Sequence, residues 1–119
     1  MEDHGLNPDA AKLEAAARNW FATLLVNARH GCMWAAENLR STADLQAYRE
    51  DGFRHGRIAS SCHHWRWVFG DSSSHVLPFT LACEELGLCE HLIRRRIMAQ
   101  CKPNKDINRL VSEVIANCG

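Results

Sequence analysis

Pro78-Phe79-Thr80-Leu81-Ala82-Cys83-Glu84-Glu85-Leu86-Gly87-Leu88-Cys89-Glu90-His91-Leu92-Ile93-Arg94-Arg95-Arg96-Ile97-Met98-Ala99-Gln100 is the stretch on which the fold turns. Two short helical segments flank Gly87, and three consecutive arginines lie on the second. This is the outline of a helix-turn-helix, whose second helix is shaped to enter a DNA major groove. Gly87 suits the reversal because the sharp turn needs a backbone conformation that residues with a Cβ adopt poorly. Ala82 and Cys83 are small where the two helices must approach. Leu81, Leu86, Leu88, Ile93 and Ile97 are the expected packing residues.

With Ile93 and Ile97 turned inward, about 100° per residue points His91, Arg95 and Lys102 outward and leaves Arg94 and Arg96 on the flanks. Guanidinium and imidazole groups at such positions can reach guanine edges, which makes His91 and Arg95 the base-reading candidates. Arg94, Arg96 and Lys102 are then expected on the phosphate backbone. The competing reading is a solvated helical face paired with Glu84, Glu85 or Glu90, at a plain corner of a helical domain.

The surroundings of this unit are helical too. The chain has 119 residues, 46% of them hydrophobic and 24% charged, an ordinary globular composition and enough for one domain with its own core. Glycine and proline are few, at seven and three, and strict polar–apolar alternation is lacking. An all-α, compact bundle of five or six helices is expected, as one domain over residues 1–119 with the helix-turn-helix at 78–100. Residues 1–7 are polar and expected to fray. Asp9 suits an N-cap, after which Leu13, Ala16, Ala17, Trp20 and Leu24 recur at helical spacing. That helix is expected to end near His30-Gly31 and restart over Cys32 to Leu39; the alternative is one long helix through Gly31. Ser41-Thr42-Ala43-Asp44 has the layout of a capping box for a helix running to Glu50 and stopping at Asp51-Gly52. Phe53 to Phe69 forms the next helix, with Ile58, Cys62, Trp65, Val68 and Phe69 on one face. Gly70 to His75 is a loop. After Lys102-Pro103, Asn104 can cap a last helix whose apolar stripe is Ile107, Leu110, Val111, Val114, Ile115 and Cys118.

Trp65-Arg66-Trp67-Val68-Phe69, the Asp-Ser loop, Pro78-Phe79-Thr80, Cys83-Glu84-Glu85-Leu86-Gly87-Leu88 and Arg94-Arg95 together form a pattern. It resembles a group of small uncharacterised bacterial proteins with W-[IV]-F, an acidic loop, then P-F-[ST], C-x2-L-G-L and R-R. The resemblance covers the second half of the chain. It implies an all-α, helix-turn-helix-like fold and brings no activity with it. Cys89-Glu90 stands where those proteins often have Asp-Pro, which leaves the second helix with a weaker start.

Charge limits the partners. Lys plus Arg and Asp plus Glu are 14 each, so strong indiscriminate nucleic-acid binding is not expected of the whole chain. Between Leu88 and Lys105, Arg94, Arg95, Arg96, Lys102 and Lys105 face the single acid Glu90, so the basic footprint is local. No membrane span or signal peptide is evident, which points to a cytoplasmic protein with reduced thiols. Cys62-His63-His64 with His30 and Cys32 offers zinc-type ligands, but the spacing lacks a Cys-x-x-Cys and neighbouring helical residues point about 100° apart. No metal, cofactor or catalytic residue is therefore expected, and the chain does not read as an enzyme. Of the four tryptophans, Trp20 and Trp65 sit on apolar stripes and are expected in the core, and one of Trp34 and Trp67 is available for a dimer interface or a partner surface. The functional expectation is a small transcription regulator that binds DNA through the second helix, as a homodimer, or that touches a protein of the transcription machinery. The alternative is a protein-interaction module, an inhibitor or adaptor, using the basic helix or a tryptophan surface.

Overall fold

A computed structural model describes residues 8–50, 52–70 and 77–118. Over these the chain is all-α. Six helices form a bundle: α1 (Pro8–Asn38), α2 (Thr42–Glu50), α3 (Gly52–Phe69), α4 (Phe79–Glu85), α5 (Glu90–Cys101) and α6 (Ile107–Cys118). The expected fraying of residues 1–7 and most of the loop before the helix-turn-helix lie outside the described residues. Among the described residues, no helix is long and apolar enough to cross a membrane.

The 31 residues of α1 make a rod about 46 Å long. Its C-terminal half is the spine of the bundle. Ala28, Cys32, Ala35 and Ala36 share one face of it at helical spacing and, with Leu39 just past its end, are all buried. α3 lies along this spine, and α4 and α5 also pack on it; α6 packs on α3 from the other side. The expected helix end at His30-Gly31 is not there, and the alternative of one continuous helix holds. Gly31 serves the contact between α1 and α3 instead. A Cβ added to it would lie 2.7 Å from Cβ and Cγ of His64, so the two backbones approach as closely as they do only because this position has no side chain.

The N-terminal half of α1 departs from expectation. Every residue from Asp9 to Trp20 is exposed, with Leu13 72% and Trp20 54% accessible. Trp20 is therefore not a core residue. The stripe that contains it is real, but the partner helices are too short to cover it. α3 spans about 27 Å and α5 about 18 Å, against the 46 Å of α1.

The connections follow local chemistry. Ser41 Oγ accepts from Asp44 N at 3.3 Å, and Asp44 Oδ2 accepts from Ser41 N at 2.9 Å and Arg40 N at 2.7 Å, the expected capping box. Asn104 Oδ1 accepts from Asp106 N at 2.7 Å to start α6, while its Nδ2 donates to the Arg40 carbonyl at 2.7 Å. Arg40 Nη1 donates in turn to the Lys102 carbonyl at 3.4 Å. The α1–α2 and α5–α6 junctions are thereby latched together. Trp65, fully buried, donates from Nε1 to Asn108 Oδ1 at 2.9 Å and joins α3 to α6. Ile107, Leu110, Val111 and Val114 are buried, so α6 spends its apolar face inside the chain.

Candidate nucleic-acid interface

α4 begins after Pro78, whose extended backbone (φ −67°, ψ 148°) sets the entry angle. Phe79 is fully buried, with the Trp67 ring edge-on to it at 5.3 Å between centroids. Trp67 Nε1 donates to the Leu77 carbonyl at 2.7 Å and pins the chain just before the helix. Ala82 and Cys83 are buried as expected, and burial pushes the Cys83 thiol up to about 11, with the Glu90 carboxylate adding to the rise. Leu81 and Leu88, in contrast, are not packing residues: they stand 36% and 41% exposed. Phe79 is the buried anchor of α4 instead, packed against the Trp67 ring of α3.

The turn is a Schellman motif. Leu88 N donates to the Cys83 carbonyl at 2.8 Å, Gly87 N donates to Glu84 at 3.0 Å, and Gly87 has φ +69°. α5 then starts at Cys89 without a side-chain cap, the weaker start that the missing Asp-Pro implies. Glu90 in the first turn is the only acid on the helix. It accepts from Arg94 Nη1 at 3.1 Å and lies 3.9 Å from His91 Nε2.

The five expected contact residues are divided by the fold. His91, Arg95, Arg96 and Lys102 are exposed, the His91 side chain by 77%. Arg94 is not part of this surface. Its Nε donates to the Val68 carbonyl at 2.7 Å, and its guanidinium carbon lies 4.9 Å from the centre of the Phe79 ring. The helical period placed it on a flank; the last turn of α3 and the Phe79 ring make that flank an interior one. Arg96 lies on the other flank, above an open groove of about 490 Å³ between α1 and α5. Arg29 of α1 borders the same groove and donates from Nε to Gln100 Oε1 at 2.9 Å. Sequence reasoning missed Arg29, and no local signal could have shown it, since 71 residues separate it from its partner.

Lys102 ends α5 in the left-handed conformation (φ 45°), donating from its backbone N to the Met98 carbonyl at 3.1 Å. The face is not purely polar: Leu92 and Met98 are 41% and 40% exposed beside the basic side chains. Arg57 and Arg66 do not extend it, and the side chain of Arg54 lies outside the described residues. Arg57 lies over the Trp34 ring at 5.7 Å, and Arg66 Nη2 donates to Ser112 Oγ of α6 at 3.4 Å.

Among the described residues the cysteines and histidines do not converge. Cys32, Cys62 and Cys83 are buried, whereas Cys89 is exposed. Among the described residues, no group of three or more His, Cys, Asp or Glu side chains could hold a metal ion. His64 is half-buried against Gly31; burial and the neighbouring His63 lower its pKa. It stands between two open grooves, one shared with Trp20, Leu24 and Trp67 and the other with His30, Trp34 and Arg57. No protein-family model, curated protein or solved structure matches the chain.

Proposed function

We propose that the chain is a small DNA-binding regulator that lays the outer face of α5 in a major groove. One observation carries this reading. His91 and Arg95 are exposed on α5 and Lys102 at its C-cap, and the only acid of α5, Glu90, is paired with Arg94. Arg95 and His91 are placed for base edges, and Lys102 and Arg96 for phosphates. The mechanism is occupancy, with no bond made or broken. Because the whole chain has no net charge, affinity depends on this small face and falls steeply with salt. The test is a gel-shift selection from random duplexes, repeated with Arg95→Ala. The expected result is salt-sensitive binding that Arg95→Ala weakens about tenfold or more while relaxing sequence preference. Absence of salt-sensitive binding by the wild type overturns the reading.

A second reading has its own observation. Leu88, Leu92 and Met98 are exposed around the same helix, and an apolar groove with Arg29 and Arg96 at its border runs alongside. That mixture suits a partner protein carrying apolar anchors and acidic side chains. Partner binding abolished by Leu92→Glu, together with no DNA binding, favours this reading over the first.

A further inference from the structure

Part of the seam between α1 and α3 is polar where a packed helix pair is normally apolar. Asn27, His30, Gly31 and Trp34 stand at i, i+3, i+4 and i+7 on α1, and Arg57, Ser60, Ser61 and His64 have the same spacing on α3. Each set therefore shares one helix face, and together they line a cleft of about 400 Å³. Among the described residues, the side chains of Asn27, His30, Arg57, Ser60, Ser61 and His64 make no hydrogen bond to another protein group. For five of them water can serve. Ser61 is only 6% exposed, so its hydroxyl is cut off from bulk solvent as well as from protein acceptors. A buried polar group in that position costs stability unless a bound molecule takes its hydrogen bond.

We propose that this cleft binds the terminal phosphate of a small organic phosphomonoester. Among the described residues no carboxylate lines it. Arg57 supplies a permanent positive charge, and hydroxyls, imidazoles and an amide supply donors from both walls. Donors on facing walls suit a tetrahedral group with several acceptor oxygens. A planar carboxylate is satisfied by the fork of one guanidinium and would leave the opposite wall unused. Depth excludes a nucleic-acid backbone, since only an end group can reach Ser61 at the floor. The volume holds more than a phosphate. The Trp34 indole, with Arg57 over its ring at 5.7 Å, sets apolar surface beside the charge for the organic part of the ester. His30 and His64, which the sequence offers as zinc-type ligands, line this cleft with no thiol among the lining residues. The inference uses no residue of α5 and stands apart from the DNA reading.

Titration calorimetry of the full chain with phenyl phosphate, inorganic phosphate and benzoate tests it. Wild type is expected to bind phenyl phosphate with a Kd of about 1 mM or tighter, and both other probes at least about tenfold more weakly. Arg57→Gln and Ser61→Ala are each expected to weaken phenyl phosphate about tenfold. Ser61→Ala should keep the urea midpoint of wild type or raise it, because its hydroxyl gives up no hydrogen bond within the protein. A serine that only supports the fold would lower that midpoint. Four results overturn the proposal: no phenyl phosphate binding at about 10 mM, inorganic phosphate or benzoate bound as tightly, unchanged affinity in Ser61→Ala, or a lower urea midpoint in that variant. Loss of DNA binding with phenyl phosphate still bound counts only against the α5 reading.

Discussion

Arg94 caps the C-terminus of α3 through Val68. The Val68 carbonyl belongs to the last turn of that helix, where carbonyls lack intrahelical donors and carry the negative end of the helix dipole. Arg94 Nε supplies the missing donor at 2.7 Å, and Glu90 Oε2 and the Phe79 ring hold the guanidinium in place. The first residue of the Arg-Arg-Arg run is thus part of the scaffold that aims the other two.

Arg94→Ala is therefore expected to lower the unfolding free energy by about 2 kcal/mol, the loss typical of a charge-assisted hydrogen bond with a packed cation. Arg94→Lys recovers only part of it, because an ammonium cannot bond Val68 and Glu90 with the same planar fork. Arg95→Ala changes stability by less than about 0.5 kcal/mol. Urea unfolding monitored by circular dichroism separates the three. Equal losses for Arg94→Ala and Arg95→Ala contradict the division of roles.

Two glycines in helices are expected to respond in opposite directions. Gly31→Ala places a methyl group 2.7 Å from His64 and forces α1 and α3 apart, at a cost of about 1–3 kcal/mol despite alanine's better helix propensity. Gly56→Ala meets nothing within 4 Å and stabilises by roughly 0.5–1 kcal/mol. Their urea midpoints should move to either side of wild type.

At Lys102 stability and the proposed DNA contact are opposed. A side chain at φ 45° costs about 1 kcal/mol that glycine avoids. Lys102→Gly is expected to raise the melting temperature while reducing the slope of log affinity for DNA against log salt by about 1. A lower melting temperature would show that the aliphatic stem of Lys102 outweighs the backbone strain.

Stability should fall at both ends of the pH range. His64 has its pKa lowered by burial and by His63. The unfolded chain therefore takes up a proton first, at 6.5. The stability is present above that pH and is lost as pH falls through the lower folded value. Cys83 is the alkaline counterpart: its contribution is full below 9.0 and is lost as pH rises towards about 11. Cys32, raised by its own burial, acts in the same direction. Urea midpoints from pH 5 to 10 should show both limbs, with His64→Gln flattening the acid one and Cys83→Ala only reducing the alkaline one.

What the chain wrote locally came through in its sequence. The Ser41–Asp44 box, the Gly87 turn and the Asn104 start of α6 each depend on groups within a few residues, so side-chain type and spacing were enough to find them. The same holds for the buried faces of α3 and α6, whose period is the period of the helix. The outward placement of His91, Arg95 and Lys102 followed from that period once Ile97 was turned inward.

Long-range placement did not come through. Gly31 looked like a helix end because glycine often ends helices; only the approach of His64 shows it as a contact point. Trp20 belonged to a stripe whose direction was legible and whose cover was not, since cover depends on where α3 and α5 stop. Arg94, Arg95 and Arg96 are alike in sequence, yet the Val68 carbonyl draws the first inward, the second faces open solvent, and the third borders a groove with Arg29. Sequence by itself determined the all-α class, the turn and the outward direction of α5. Tertiary structure decided which arginines remain available on that face and which half of α1 is left bare, because both depend on atoms brought together from distant parts of the chain.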